Sequence, residues 1–191
     1  MSVSQSQPQP VIDAAEGKAL LSGLCEPFAR GYFAPECSIV QPQNIPNPSD
    51  ELLVHHQHMT VVLQRHHGDL MRVHVLEEKL EGDRYTRKIC LTPQGSDKVV
   101  EWGIARLDLR FMPEAVKREI LAKQTPLGAI LINHKVHRRI KPRYFLRLPE
   151  SSAVAALFGA NNAEPLYGRL GTIYCDDEPC IEVLEIVLNT K

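Results

Sequence analysis

Two pairs of strand-like segments joined by very short connections constrain the fold of this chain most strongly. One pair spans residues 84–92 and 98–110, and the other spans residues 166–175 and 180–189. Only four or five residues separate the two members of each pair. A parallel connection needs about a dozen residues or more, so these segments pair antiparallel. The sequence therefore predicts hairpins within an antiparallel sheet.

Helical patterns and further strands surround these hairpins. The spacing of apolar residues and the start and stop signals predict a helix within 13–33, helices at 49–68, 113–123, 127–133 and 151–158, and strands at 70–80 and 135–149. The order is helix, strands, helices, strands, and short hairpins dominate the connections. This order predicts an α+β fold built on an antiparallel sheet.

The segment 49–68 carries the clearest helical signal. Ser49 suits an N-cap, acidic residues follow it, and apolar residues from Leu52 to Leu63 recur at helical spacing until Gly68. This pattern predicts one continuous helix of about four turns.

Length and charge narrow the class of protein. A chain of 191 residues with a formal net charge of −1 fits one globular domain, and its field neither recruits nor repels nucleic acid. No segment approaches the ~20 apolar residues of a membrane helix, and the N-terminus lacks a signal-peptide pattern. We expect a cytoplasmic protein with a tail, a candidate helix and a Pro-rich linker over 1–48 and the main domain over 49–191.

The cysteines and histidines do not form a metal-binding pattern. The five cysteines are widely spaced, so we expect reduced thiols, with Cys175 and Cys180 facing each other across a hairpin. His55 and His58 share a face of the predicted helix, but no acidic third ligand stands at a compelling spacing. A polar helix face is favoured over a metal site, and we expect no metal and no cofactor.

Two charged residues interrupt segments that are otherwise predicted to be buried. Glu185 lies inside the apolar run 183–188, and the alternation in 84–91 puts Arg87 on the same face as Ile89. A buried ion without a partner costs several kcal/mol, so each residue needs a counter-charge. Either the two form a structural ion pair with each other, or they belong to a ligand site.

Four short motifs give the chain a resemblance to a known family. His58-Met59-Thr60, Tyr85-Thr86-Arg87, Thr125-Pro126-Leu127-Gly128 and Leu184-Glu185 occur in the order and approximate spacing of the chorismate lyase family, over roughly residues 50–190. The chain resembles most the branch typical of cyanobacteria, actinobacteria and archaea. The resemblance implies an antiparallel sheet flanked by helices that encloses a site.

The resemblance also implies an activity and roles for four residues. The expected reaction is that of a chorismate pyruvate-lyase, which converts chorismate to 4-hydroxybenzoate and pyruvate without a cofactor. Met59 and Leu127 would offer backbone N–H groups to the ligand, Arg87 would bind a carboxylate, and Glu185 would meet the ring substituent. Arg87 and Glu185 are accordingly the expected catalytic pair.

Three functional alternatives remain open at this level. Glu185 acts as a general acid on the ether oxygen, or it only orients the substrate while the C4 hydrogen moves within chorismate itself. A sibling lyase would act on another chorismate-like carboxylate. A non-catalytic effector-binding domain of the same fold is the rival class, although residues 1–48 show no helix-turn-helix pattern.

Overall fold

The computed structural model describes residues 13–28, 36–158 and 164–188. The predicted tail at 1–10 and the end of the first predicted helix lie outside these ranges. Within them the strands are β1 (Ser38–Val40), β2 (Met71–Glu81), β3 (Arg84–Pro93), β4 (Glu101–Asp108), β5 (Arg138–Leu148), β6 (Leu166–Cys175) and β7 (Glu178–Val187). They form one sheet in the order β1-β5-β6-β7-β4-β3-β2, and every neighbouring pair is antiparallel.

The α-helices of the described ranges precede or separate groups of these strands along the chain. They are α1 (Ala14–Cys25), α2 (Ser49–Leu53), α3 (Met59–His67), α4 (Glu114–Ala122), α5 (Leu127–Asn133) and α6 (Ala153–Leu157). The predicted fold class, a single α+β domain with an antiparallel sheet flanked by helices, is confirmed. It has the layout that the chorismate lyase resemblance implies.

The prediction of one continuous helix over 49–68 is wrong. The helical path ends at Leu53 and starts again at Met59, and Ser49 is a helical residue that follows the N-cap Pro48. The interruption leaves backbone carbonyl groups without intrahelical partners. A buried arginine from β6, Arg169, donates hydrogen bonds to three carbonyl oxygens of this interruption.

The two faces of the sheet pack against different helices. Leu21 and Leu24 of α1 pack on one face, in a cluster that includes Trp102, Ile104 and Leu184. The opposite face packs against α2, α3, α4 and α5. Burying one such aliphatic side chain contributes roughly 1.5–3 kcal/mol, so both layers stabilise the sheet.

Strand register fixes which residues share the face covered by α2 to α5. Arg87 lies opposite Ala105 of β4, which in turn lies opposite Val183 of β7. Glu185 lies opposite Gly103 on one side and opposite Arg169 on the other. Directly opposed residues point to the same face, so the predicted shared face of Arg87 and Ile89 extends to Glu185 and Arg169.

The cysteines are free thiols. Cys175 and Cys180 are both buried where β6 turns into β7, which fits the predicted position of a small apolar pair. None of the helices in the described ranges is long and apolar enough to cross a membrane.

Candidate functional site

A cavity lies between the sheet and the first turns of α3 and α5. The space that protein atoms leave free there, together with the open solvent at its mouth, is about 520 Å³. Much of the wall is apolar and comes from Val73, Ile89, Leu91, Ala105, Ile173 and Val183. A small number of polar groups in an apolar wall is the usual composition of a site for a small organic ligand.

All four residues that the sequence analysis assigned to a site line this cavity. Arg87 and Glu185 enter from β3 and β7, and Met59 and Leu127 enter from the starts of α3 and α5. Between the first and the last of them lie more than one hundred residues of sequence. The fold therefore gathers into one place residues that lie far apart along the chain.

Arg87 supplies the cationic group of the cavity wall. Its side chain is only 2% exposed, and its Nε and Nη1 atoms make no hydrogen bond to any described residue. Burial lowers the pKa of its guanidinium, and the neighbouring Tyr85 and Glu78 oppose that effect. An arginine stays charged in a protein, so this cation costs several kcal/mol until an anion pairs with it.

The starts of α3 and α5 add backbone donors beside Arg87. The residues before them, His58 and Pro126, provide no side-chain cap. The N–H groups of a first helical turn have no intrahelical partner, so those at Met59 and Leu127 remain available. The two helix starts lie close together because Gly128 has no side chain: a Cβ there would lie 2.9 Å from the His58 Cβ.

Glu185 does not pair with Arg87. Its Oε2 accepts a hydrogen bond from the Arg169 Nε at 2.5 Å, across the β6–β7 pair. Arg169 also donates to the carbonyl oxygens of Leu53 (3.1 Å), His55 (3.0 Å) and Gln57 (3.3 Å). The alternative of an Arg87–Glu185 ion pair is therefore wrong, and Glu185 belongs to a different buried ion pair at the cavity wall.

A second carboxyl group, Glu101 of β4, also lines the cavity. The sequence analysis missed it. Its side chain is 4% exposed, and its Oε2 has no hydrogen-bond partner among the described residues. Burial, followed by the charge of Glu185, raises its pKa well above the usual value. The signal was present, because Glu101 interrupts the apolar run Val99–Ile104 just as Glu185 interrupts its own strand.

The histidines near the cavity are neutral. Burial and then Arg169 lower the pKa of His55 to about 4, and burial, Arg138 and Arg169 lower that of His58 to about 4. His58 accepts a hydrogen bond from the Arg138 Nε at 2.7 Å. His55 lies between α2 and α3, so the two residues do not share a helix face as predicted. Within the described ranges, no group of three potential ligands could hold a metal ion.

The fold and the cavity together define an α+β domain with a cavity whose wall holds a buried guanidinium, two of whose nitrogen atoms lack a hydrogen-bond partner among the described residues. No protein-family model and no curated protein matches the chain. The chain is similar to the solved structure of PhnF from Mycobacterium smegmatis, at 17% identity and a TM-score of 0.45, covering 67% of this chain and 62% of that one. It therefore spans less than two thirds of that PhnF chain.

Two further solved structures are similar to the same extent. The effector domain of PhnF from Mycobacterium smegmatis has 17% identity and a TM-score of 0.47, with 69% of this chain and 88% of that one covered. The gene product SA0254 from Staphylococcus aureus has 16% identity and a TM-score of 0.46, with the same two coverages of 69% and 88%. These likenesses concern the fold.

Proposed function

We propose that the cavity binds a small ring carboxylate of the chorismate or 4-hydroxybenzoate type, with its carboxylate on Arg87. The observation that carries this proposal is the buried guanidinium of Arg87, whose Nε and Nη1 find no partner among the described residues. A guanidinium presents two parallel N–H groups that match the two oxygens of a carboxylate. A bound carboxylate would supply the missing counter-charge and the missing hydrogen bonds together.

The rest of the cavity suits the other parts of such a ligand. The uncapped first turns of α3 and α5 offer N–H groups to the same carboxylate end. Ile89, Leu91 and Val183 offer apolar surface to a ring. Glu185 and Glu101 lie farther along the sheet, where they can meet polar substituents on the opposite side of the ring.

We further propose that the bound ligand is turned over in a chorismate pyruvate-lyase reaction. The ring C3–oxygen bond breaks with its electron pair leaving on oxygen. The C4 hydrogen leaves the ring as a proton, its bonding electrons complete the aromatic ring of 4-hydroxybenzoate, and a proton added to the departing enolpyruvyl group gives pyruvate. The gain of an aromatic ring drives the step. Four motifs of the chorismate lyase resemblance around a single cavity support this activity.

A specific observation favours the second candidate, a domain that binds such a ligand without turnover. Glu185, the expected general acid, accepts a hydrogen bond from Arg169 and is engaged in that ion pair. A carboxylate in this arrangement orients a ligand more readily than it donates a proton. Turnover at this site therefore depends on transfer of the C4 hydrogen within chorismate or on a different proton donor.

The experiment that separates the two candidates is incubation of the purified protein with chorismate. We expect equimolar 4-hydroxybenzoate and pyruvate, measured by chromatography and by a coupled pyruvate assay, at a rate that a chelator leaves unchanged. Binding of 4-hydroxybenzoate is measured in parallel by calorimetry. Binding without product formation would support the non-catalytic candidate, and the absence of both would contradict the proposed site.

A further inference from the structure

We infer that Glu101 is a second polar contact for the ligand: a neutral carboxylic acid that donates a hydrogen bond to an oxygen acceptor opposite the ligand's carboxylate. It would thereby select ring carboxylates that carry an ether, hydroxyl or carbonyl oxygen on that side. The inference rests on the proposed function, because it takes the ligand to be anchored at Arg87. It adds a specificity-determining residue that neither the motifs nor the resemblance assigned.

The position of Glu101 on the sheet suits this role. Arg87 lies opposite Ala105, and Glu101 precedes Ala105 by four residues on the same face of β4. At about 3.4 Å per residue this separates the two positions by about 14 Å along the strand. The side chains of both residues line the cavity. A ring held at Arg87 therefore presents its opposite substituent toward Glu101.

Gly103 keeps the space beside the Glu101 carboxyl group open. A Cβ at Gly103 would lie 3.5 Å from the Glu101 Oε1 and 2.5 Å from the Leu184 carbonyl oxygen. The carboxyl group thus extends over a position that has no side chain, and Gly103 is the register partner of Glu185. This arrangement brings the two carboxyl groups onto the same part of the cavity wall.

No ion pair within the described ranges involves Glu101. Arg169 forms its ion pair with Glu185. Burial and the charge of Glu101 raise the pKa of Cys90 on the neighbouring strand β3. Burial and the charge of Glu185 raise the pKa of Glu101, and Arg169 only partly opposes them. Two carboxyl groups beside one engaged guanidinium repel each other, which favours the protonated form of one of them. The raised pKa of Glu101 makes it the carboxyl group on which that proton is favoured.

A purely structural acid would have a protein partner for its polar atoms. The Oε2 of Glu101 has none among the described residues, although most buried polar side-chain atoms in proteins are hydrogen-bonded. A neutral carboxyl group has one O–H donor that needs an acceptor. The cavity in front of it is where a ligand oxygen can meet that need.

Two substitutions and a matched pair of ligands test this contact. Glu101→Gln keeps an N–H donor, and Glu101→Leu removes the donor while keeping a similar volume. The ligands are 4-methoxybenzoate, whose ether oxygen can only accept, and 4-ethylbenzoate, in which a methylene replaces that oxygen. We expect the wild type and Glu101→Gln to prefer 4-methoxybenzoate about tenfold, as one hydrogen bond implies. The Leu variant should lose this preference in calorimetry.

The results distinguish a failure of the Glu101 contact from a failure of the proposed function. If the wild type binds 4-hydroxybenzoate but does not distinguish the matched pair, or if the Leu variant keeps the preference, the Glu101 contact is wrong and the proposed function stands. If the wild type binds none of the three compounds, both are wrong.

Infrared spectroscopy of the ligand-free protein tests the neutral acid without any ligand. At pH 7 the wild type should show the band of a protonated carboxyl group, and Glu101→Gln should lack it. Melting curves show that the variants fold, and the Leu variant should melt at or above the wild type, because it removes an unpaired buried polar group. A wild-type spectrum without the band would overturn the inference.

Discussion

Arg87 and Arg169 lie on the same sheet face and are equally buried, at 2% exposure each, yet their surroundings are opposite. Arg169 donates to Glu185 and to three carbonyl oxygens between α2 and α3. Arg87 leaves two nitrogen atoms without a partner among the described residues. Arg169 therefore has a structural role, and the proposed function gives Arg87 a binding role. The different partners of the two arginines are the basis of this assignment.

Replacing each arginine by lysine should separate these roles. Arg87→Lys keeps the charge but loses the planar fork, so 4-hydroxybenzoate should bind more weakly by about 2–5 kcal/mol while the free energy of unfolding changes little. Arg169→Lys should instead lower the free energy of unfolding by about 3–5 kcal/mol, because a point charge cannot satisfy Glu185 and three carbonyls. Calorimetry and denaturant unfolding measure the two effects. If both substitutions changed ligand binding and stability by the same amounts, the assignment of a binding role to Arg87 and a structural role to Arg169 would be wrong.

A charged residue inside an apolar strand is a local anomaly, and this made Arg87 and Glu185 predictable from sequence. Glu101 carried the same signal, so it was predictable in principle. Arg169 was not, because Gly168 and Gly171 interrupt the apolar run around it and its partners at 53–57 lie more than one hundred residues away. Met59 and Leu127 contact the cavity through helix starts, and only the family resemblance identified them.

At the scale of elements, the interruption between α2 and α3 determines the shape of the site. A continuous helix would bury the N–H groups of Met59 and Thr60 in its own hydrogen bonds. Because the helix restarts at Met59, those groups have no intrahelical partner, and both residues line the cavity. Arg169 donates hydrogen bonds to the carbonyl oxygens in the interruption. Apolar periodicity continues through the interruption, so the sequence pattern could not reveal it.

Gly128 and Gly23 offer a matched test of how closely α3 and α5 must approach. Both lie in helices, but a Cβ at Gly128 would meet the Thr60 Oγ1 at 3.0 Å and the His58 Cβ at 2.9 Å, whereas one at Gly23 would meet only the Arg106 guanidinium at 3.5 Å. Gly128→Ala should therefore cost about 1–3 kcal/mol of stability by overpacking and should weaken ligand binding. Gly23→Ala should stabilise by about 0.5–1 kcal/mol through helix propensity.

Denaturant unfolding and calorimetry on both variants check this pair. A Gly128→Ala protein that matches the wild type in stability and in affinity for 4-hydroxybenzoate would show that the two helix starts have room to move apart. Gly23→Ala controls for the general effect of adding a methyl group to a helix.

At the scale of the whole molecule, local signals predicted more than long-range ones. The sequence predicted the two hairpins, α4 and α5 with nearly correct bounds. Turns and helix starts depend on neighbouring residues in the sequence, so they can be recognised without knowledge of distant contacts. Strand β1 was not predicted, since three residues in a Pro-rich region become a strand only by pairing with Phe145–Arg147 of β5. Its pairing and the packing of α1 show that elements before residue 49 contribute to the same sheet and core.

The buried guanidinium of Arg87 lowers the stability of the whole ligand-free molecule, and this leads to a last prediction. Arg87→Met replaces the guanidinium by an apolar side chain of similar length, so the ligand-free variant should be more stable than the wild type by about 1–4 kcal/mol. Ligand at one hundred times its dissociation constant should add about 2.7 kcal/mol to the wild type and nothing to the variant. In thermal unfolding, 4-hydroxybenzoate should therefore raise the melting midpoint of the wild type to that of Arg87→Met or above it.

Arg169→Met is the control. It should be much less stable than the wild type with and without the ligand, because Glu185 and the carbonyl oxygens lose their partner. An Arg87→Met protein that is less stable than the wild type without ligand would show that Arg87 stabilises the fold itself, and the assignment of Arg87 as the ligand's anchor would then fail.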